Sequence, residues 1–209
     1  MLRYILPFLF AAASMSGSVV TIDTTGLNGA AGDLVFDFIS GGGPANTVTI
    51  SGFASDGTLG AVSPTGLVSG TLPGTVTISD DPVTFAFNEY LTGFTFGSAI
   101  SFNLGVTQNA PGVGFSPDEL SVFFLAGDGV TSLIATSDPT AADSLMVVDL
   151  DGSSDGAATA FSVSDPSGVN ATIGPGAASV PEPGNGAVLG LVVLVWSGTQ
   201  RYRRSRSRV

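Results

Sequence analysis

Apolar and polar residues alternate along most of the chain, which is the pattern of a β-strand with one buried face. Leu34, Phe36 and Phe38 would lie on one face of such a strand. Gly52 interrupts a second alternating run and is expected to mark a β-bulge. The further strand candidates are residues 19–23, 47–53, 75–79, 90–96, 100–106, 119–125, 144–150 and 159–163. No ten-residue window repeats apolar residues at helical spacing.

Turn-forming residues separate these runs, with Gly-rich, Asp-Gly or Asp-Pro signals at residues 41–44, 56–57, 80–82 and 151–152. Nine or ten short strands at this spacing predict two packed antiparallel sheets. We therefore predict an all-β fold over residues 19–178, an antiparallel β-sandwich with a jelly-roll-like topology. The 14 phenylalanines are expected to lie mostly in its core.

The N-terminal segment, residues 1–18, has the layout of a secretory signal peptide. A single arginine precedes the apolar residues 5–13, and small residues follow them. Cleavage is expected after Ala13, Ser16 or Ser18, because each has a small residue at the scissile position and another two before it. The sequence therefore predicts export.

The C-terminal segment, residues 179–209, has a different pattern. A proline-containing spacer leads to an apolar stretch at residues 187–196, and five arginines follow: Arg201, Arg203, Arg204, Arg206 and Arg208. Residues 184–200 would form a single hydrophobic helix of about 25 Å, slightly shorter than the roughly 30 Å hydrocarbon core of a bilayer. The arginines would keep that end in the cytoplasm and the acidic body outside. A span this short predicts a temporary anchor.

Pro181, Glu182 and Pro183, followed by the apolar stretch and the arginines, resemble the PEP-CTERM sorting signal of Gram-negative and related bacteria. The resemblance implies that an exosortase, an intramembrane transpeptidase, recognises the triplet during export. It also implies that the helix and the arginine tail hold the protein briefly in the inner membrane before it reaches the cell surface or the exterior. Signal peptidase and an exosortase-type enzyme would then be partners, together with exopolysaccharide or biofilm material. An ordinary tail anchor with a proline linker is the alternative. Polar residues 197–200, which separate the apolar stretch from the arginines, depart from the pattern of the sorting signal.

The body resembles, more loosely, small secreted proteins that carry this signal and have a β-ectodomain rich in Phe and Asp. Residues 88–97 and 147–152 carry that likeness. It implies a shared architecture and no particular activity.

The charge distribution excludes several classes of function. The chain has 6 arginines, 17 acidic residues, and no lysine, histidine or cysteine. Residues 19–178 contain 16 of the acids and none of the arginines, which gives a net charge of −16. A body without bases cannot neutralise phosphates, so nucleic acid is not expected as a partner. Thiol nucleophiles, the common zinc sites and Ser-His-Asp triads are excluded as well.

The densest acidic motif consists of Asp149, Asp151 and Asp155 around an Asp-Gly turn. Oxygen ligands at alternate positions and a sharp glycine turn are features of calcium loops, although the distal glutamate of an EF-hand is missing. A calcium site and a strand that ends in a solvated turn both fit the motif. No other cofactor is expected.

Carboxylates, hydroxyls and amides remain available for chemistry. A glycoside hydrolase would need two facing carboxylates, and the body has two glutamates, Glu89 and Glu119. Short turns leave little chain for a catalytic cleft, and no base is available to stabilise an oxyanion. We therefore expect a protein that is not an enzyme.

Sugar binding would need aromatic rings beside polar groups. The candidates are Tyr90 with Glu89 and Asn88, and Phe115 with Gln108 and Asn109. The sequence thus favours a secreted, non-enzymatic cell-surface or extracellular-matrix protein. A carbohydrate-binding module, with or without calcium, is the alternative, and a glycoside hydrolase is a more distant one.

Overall fold

The computed structural model describes residues 15–81, 83–153 and 157–175. The expected sorting signal, nearly all of the expected signal peptide, and Asp155 lie outside these residues. The described part of the chain forms fourteen strands and one short 3-10 helix, and every strand pairing is antiparallel. Within these ranges no helix has the length and apolar character needed to cross a membrane.

Most of the strands are three to nine residues long. They are β1 (Met15–Asp23), β2 (Ala31–Ile39), β3 (Thr47–Ser55), β4 (Thr58–Thr65), β5 (Val68–Gly70), β6 (Val76–Ser79), β7 (Phe87–Thr95), β8 (Ala99–Thr107), β9 (Asp118–Leu125), β10 (Ala135–Thr136), β11 (Met146–Leu150), β12 (Ala157–Ala160), β13 (Val163–Asp165) and β14 (Asn170–Pro175). The 3-10 helix, Thr25–Leu27, lies between β1 and β2.

Twelve of these strands form two six-stranded sheets, as an antiparallel β-sandwich requires. The first sheet has the order β14-β1-β8-β3-β6-β5, and the second has the order β12-β11-β9-β2-β7-β4. The short strands β10 and β13 pair only with each other. The all-β prediction is therefore confirmed.

The inner faces of the two sheets hold the core. Leu34, Phe36 and Phe38 are completely buried, as the alternation predicts. Phe36 of the second sheet packs edge-on against Phe102 of the first, with 5.4 Å between ring centroids. Burying a side chain of this size contributes about 2–3 kcal/mol. The predicted bulge is also confirmed, because the β3–β8 register shifts around Gly52, whose φ is +60°.

Some strand predictions were wrong. Residues 159–163 do not form one strand, since β12 ends at Ala160 and β13 begins at Val163. Strands β4 and β14 were missed because they lie at sheet edges. Most β4 side chains are exposed, so their sequence carries no apolar alternation.

The strand registers define one end of the sandwich, which we call the basal end. Ile39, the last residue of β2, pairs with Phe87, the first residue of β7. The connections β2–β3, β6–β7 and β8–β9 all lie at this end. Met15 pairs with Thr107 there, and Pro175 pairs with Ser18, so the described chain begins and stops at the basal end.

Candidate functional site

A groove of about 440 Å³ lies on the outer face of the second sheet. Its floor is formed by side chains of β2, β9 and β11, and one wall is the connection between β10 and β11. We call it the acidic groove. Its lining includes Asp37, Ile39, Glu119, Ser121, Phe123, Asp138, Thr140, Ser144, Val147, Asp149, Thr159 and Phe161.

The strand register brings the carboxylates of this face together. Asp37 alternates with buried Phe36 and Phe38 and therefore points outward from β2. It lies directly opposite Glu89 of β7, and Glu119 of β9 lies opposite Asp149 of β11. Opposed residues of antiparallel strands have Cβ atoms about 4.5–5.5 Å apart. Two acidic pairs therefore share one face.

Asp37 holds its proton more tightly than an ordinary aspartic acid. Burial, and then the charge of neighbouring Glu89, raise the pKa of Asp37 to about 7. Burial raises the pKa of Glu89 as well. The Oδ1 atom of Asp37 is buried and has no hydrogen-bond partner. At neutral pH Asp37 is therefore partly protonated and able to donate a hydrogen bond.

The wall of the groove is fastened by Asp138. Its carboxylate accepts hydrogen bonds from the backbone N–H of Thr140 at 2.9 Å and from the Ser144 hydroxyl at 2.5 Å. Burial alone would raise the pKa of Asp138, but these hydrogen bonds lower it below its usual value. Ala141 and Asp143 in the same connection have φ of +60° and +57°, a conformation that costs energy without glycine. Asp138 is therefore best understood as the residue that holds this wall in place.

Aromatic rings give the groove an apolar side. Phe123 from the floor and Phe161 after β12 line it beside Ile39, and both rings are half-buried. The described residues include no lysine or arginine, so nothing here would attract an anion. Carboxylates accept hydrogen bonds from hydroxyls, and rings pack against the C–H faces of sugars. The arrangement suits a neutral polyhydroxylated ligand or a cation.

One of the two predicted sugar platforms was wrong. Tyr90 is completely buried in the core, where its hydroxyl accepts a hydrogen bond from the Leu72 N–H at 3.0 Å. Asn88 beside it is also buried, and its Oδ1 accepts the Leu67 N–H at 2.7 Å. A strand places alternate residues on opposite faces, so Tyr90 points away from Glu89.

The second predicted platform lies at the basal end, outside the groove. Phe115 is about half exposed there. The Asn109 side chain donates to the carbonyl of Ala45 at 2.7 Å, and both polar atoms of the Gln108 amide are buried without a hydrogen-bond partner. These amides are not presented beside the Phe115 ring to a ligand.

The two glutamates suggested for a hydrolase lie on the same outer face, but β2 runs between their strands. Glu89 is paired with Asp37, and Glu119 accepts a hydrogen bond from the Ser121 hydroxyl at 2.9 Å. The sequence reasoning missed Asp37. Its alternation with phenylalanines was the available signal for an outward position, but its pairing with Glu89 depends on the register.

The predicted calcium residues that the structure describes lie in two different places. Asp149 lines the groove, whereas Asp151 accepts the Ser153 N–H at 2.8 Å in the turn after β11. Among the residues that the structure describes, no three carboxylate, imidazole or thiol groups are gathered as a metal site would need. Asp155 lies outside those residues, so the calcium site stays a prediction.

Two further aspartates, Asp80 and Asp118, are buried at the basal end. Asn46 donates its backbone N–H to Asp80 Oδ1 at 2.5 Å and its side-chain amide to Asp118 Oδ2 at 2.7 Å. Asp118 Oδ1 also accepts the Gly41 N–H at 2.8 Å. Burial raises the pKa of Asp80. This Asn46 network fastens the β2–β3, β6–β7 and β8–β9 connections to one another.

No protein-family model, curated protein or solved structure matches this chain. A function can therefore be supported only by the acidic groove, the surface of the sandwich and the patterns at the two termini.

Proposed function

We propose that this protein is an exported, non-enzymatic cell-surface or extracellular-matrix protein whose sandwich binds neutral exopolysaccharide in the acidic groove. One observation carries the proposal. On the outer face of one sheet, carboxylates lie beside two phenylalanine rings in a groove whose lining includes no base. A groove of this size holds two or three sugar rings at most, so a longer polymer would cross it.

The chemistry of the lining supports a sugar as the ligand. The side-chain oxygens of Glu119 and Asp149 can accept hydrogen bonds from hydroxyls, and protonated Asp37 can donate one. The aromatic rings of Phe123 and Phe161 can pack against the apolar faces of sugar rings. Aromatic rings and hydrogen-bonding groups side by side are what sugar binding needs, and we therefore propose binding as the role of this lining.

The export and cellular location of the protein are proposed from the sequences of its termini. Residues 1–18 would direct export, and residues 179–209, with Pro181, Glu182 and Pro183, would be processed by an exosortase-type enzyme after a short stay in the inner membrane. Strand β1 begins at Met15, and Ser16 is already paired with Val106. Cleavage after Ala13 would leave β1 whole, which supports that position over Ser16 and Ser18.

We also infer that the sandwich is a jelly roll. The chain changes sheet at each step from β1 to β4 and again from β6 to β9, which supports this topology. The order β1-β8-β3-β6 would form one layer and β2-β7-β4 the core of the other. Strands β9, β11 and β12 then extend the second layer, and β14 extends the first.

Co-sedimentation with the source organism's neutral exopolysaccharide tests the binding function. The full chain should sediment with the polymer, and Glu119→Gln or Phe161→Ala should weaken retention about tenfold, the effect of losing one charged hydrogen bond or one ring contact. Asp165→Asn is the matched control, because Asp165 is an exposed carboxylate outside the groove. Loss of retention with Phe115→Ala, but with neither groove variant, would move the site to the basal end and overturn the proposal.

The calcium-assisted alternative is favoured by Asp149, because this first residue of the predicted calcium motif lines the groove. The same sedimentation in millimolar calcium and in excess EDTA separates the two forms of the proposal. Retention in both conditions supports direct recognition by side chains. Retention only with calcium, lost in Asp151→Asn, supports an ion bound by the motif.

A further inference from the structure

Large apolar side chains are exposed mainly at the basal end. Among the described residues, only Val62 and Val130 are comparably exposed elsewhere. Val83 and Val113 have nearly all of their surface in solvent, and Phe115 has about half. The basal set consists of Ile39, Leu67, Val83, Phe85, Phe87, Val113 and Phe115. So strong a bias toward one end is typical of an interaction surface, since soluble monomers rarely gather such residues.

These side chains project from a fixed platform. The Asn46 network joins the three connections that carry most of them. The Phe115 ring lies over Gly42, where a Cβ would come within 3.1 Å of it and where φ is +87°. A bulkier residue at position 42 would therefore both strain the backbone and displace the ring. The exposed apolar surface is thus held in place before any partner arrives.

The charges near the exposed apolar side chains of the basal end limit the kinds of partner that this end could bind. Asp81 turns its carboxylate toward its own backbone and accepts the N–H groups of Val83 and Thr84 at 3.0 and 3.3 Å. Asp80 and Asp118 are buried below the surface, whereas Asp151 is exposed at this end, in the turn that follows β11. The sandwich as a whole is strongly acidic, so an anionic partner would be repelled. An apolar surface with an uncharged or zwitterionic boundary fits this end best.

The path of the chain identifies such a surface. Strand β14 ends at Pro175 at the basal end, and eleven residues separate it from the apolar stretch of residues 187–196. Eleven extended residues reach at most about 40 Å. If that stretch is in a bilayer, as the proposed function requires, the tether starts from the end of the sandwich that carries the exposed apolar side chains.

We propose that the basal end docks into the interfacial region of a zwitterionic bilayer while the C-terminal stretch anchors the chain. Val83, Val113 and Phe115 enter the boundary between headgroups and acyl chains, as apolar side chains of peripheral proteins do. The proposal rests on the membrane anchoring in the proposed function. It adds a defined orientation, with the sandwich standing on its basal end.

The absence of cysteine allows single labelling sites. The full chain carrying Val113→Cys would be labelled with an environment-sensitive fluorophore in vesicles of phosphatidylethanolamine and phosphatidylcholine. We expect a blue shift and loss of most of the emission to quenchers carried on lipids. Val130→Cys is the matched control, because Val130 is similarly exposed but lies in the connection that follows β9 at the opposite end. Its label should remain in water.

Alkaline extraction of the same vesicles reports on the anchor separately. If the chain resists extraction but both labels report water, docking is wrong and the anchor stands. If the chain is extracted, the anchoring fails and docking fails with it. A blue shift that depends on protein concentration and resists lipid quenchers would identify a second copy of the chain as the occupant and overturn the proposal. Val113 and Val130 are almost fully exposed, so neither cysteine substitution should affect folding.

Discussion

Replacing Asn46 with alanine is expected to lower the free energy of unfolding by about 2–4 kcal/mol. The Asn46 side chain is only 2% exposed and makes four hydrogen bonds. Its amide donates to Asp118 and to the Asn109 carbonyl, and its oxygen accepts from the Thr107 hydroxyl and the Asn109 N–H. Truncation leaves the buried Asp118 carboxylate without one of its two donors.

Asn46→Asp keeps the shape of the side chain and sharpens the test. It would bring a third carboxylate beside Asp80 and Asp118, so at neutral pH it should destabilise the fold at least as much as alanine does. Compared with the parent at the same pH, acid should partly restore the stability of Asn46→Asp, whereas the deficit of Asn46→Ala should be the same at both pH values. Urea unfolding at pH 5 and pH 7 measures both effects. Asn103→Ala, at an exposed strand position, is the control, and a loss at Asn46 no larger than at Asn103 would contradict this role.

The second large effect is an unusual dependence of stability on pH. The pKa of Asp37 is raised to about 7 from the usual 3.8 of an aspartic acid, so the folded state binds this proton more tightly than the unfolded chain does. The stability that this proton supplies is complete below about pH 4 and is lost as the pH rises through 7. Asp37→Asn should therefore be more stable than the parent at pH 8, by about 1–2 kcal/mol after allowance for solvent screening.

The opposite trend is expected in acid. Hydrogen bonds from Ser98 and Ala99 lower the pKa of Asp56 to about 2, and those from Thr131 and Val130 lower the pKa of Asp128 to about 2. Their contributions are present above about pH 4 and are lost as the pH falls toward 2. Stability should therefore be greatest near pH 4.

Thermal unfolding from pH 3 to pH 9 checks both limbs of this curve. Asp37→Asn should reduce the loss of stability between pH 5 and pH 8. Glu89→Gln should shift that loss to lower pH, because it removes the charge beside Asp37. Asn103→Ala, which removes no titratable group, serves as the control and should leave the shape of the curve unchanged. An Asp37→Asn protein with the parental slope would show that Asp37 is ionised throughout this range.

The sandwich could be predicted from the sequence because apolar and polar residues alternate along its central strands. Leu34, Phe36 and Phe38 carry the periodicity that determines which face is buried, and Gly52 marks a real bulge. Edge strand β4 could not be found this way, since both of its faces meet solvent over most of its length. The alternation of apolar and polar residues in a sequence reflects the burial of one face of a strand, and edge strands have little buried surface.

The candidate site could be predicted only in its chemistry. Carboxylate and hydroxyl groups were expected, but the Asp37–Glu89 pair joins residues far apart in the chain and depends on the β2–β7 register. The same limit applies to Asn46, which sits in a segment that reads simply as a Gly-Pro turn. The phenylalanines were expected mostly in the core because strand aromatics usually pack there, yet Phe85 and Phe87 are exposed at the basal end.

Titration of the isotopically labelled protein with oligosaccharide fragments of the neutral exopolysaccharide, followed by amide chemical shifts, tests the central claim most directly. Binding in the acidic groove predicts shifts that cluster at Asp37–Ile39, Glu119–Phe123 and the Asp138–Asp149 region, with the first sheet unchanged. Shifts confined to the outer face of β1, β3 and β8, or to the Phe115 connection, would contradict it. So would an unchanged spectrum at concentrations where the intact polymer retains the protein.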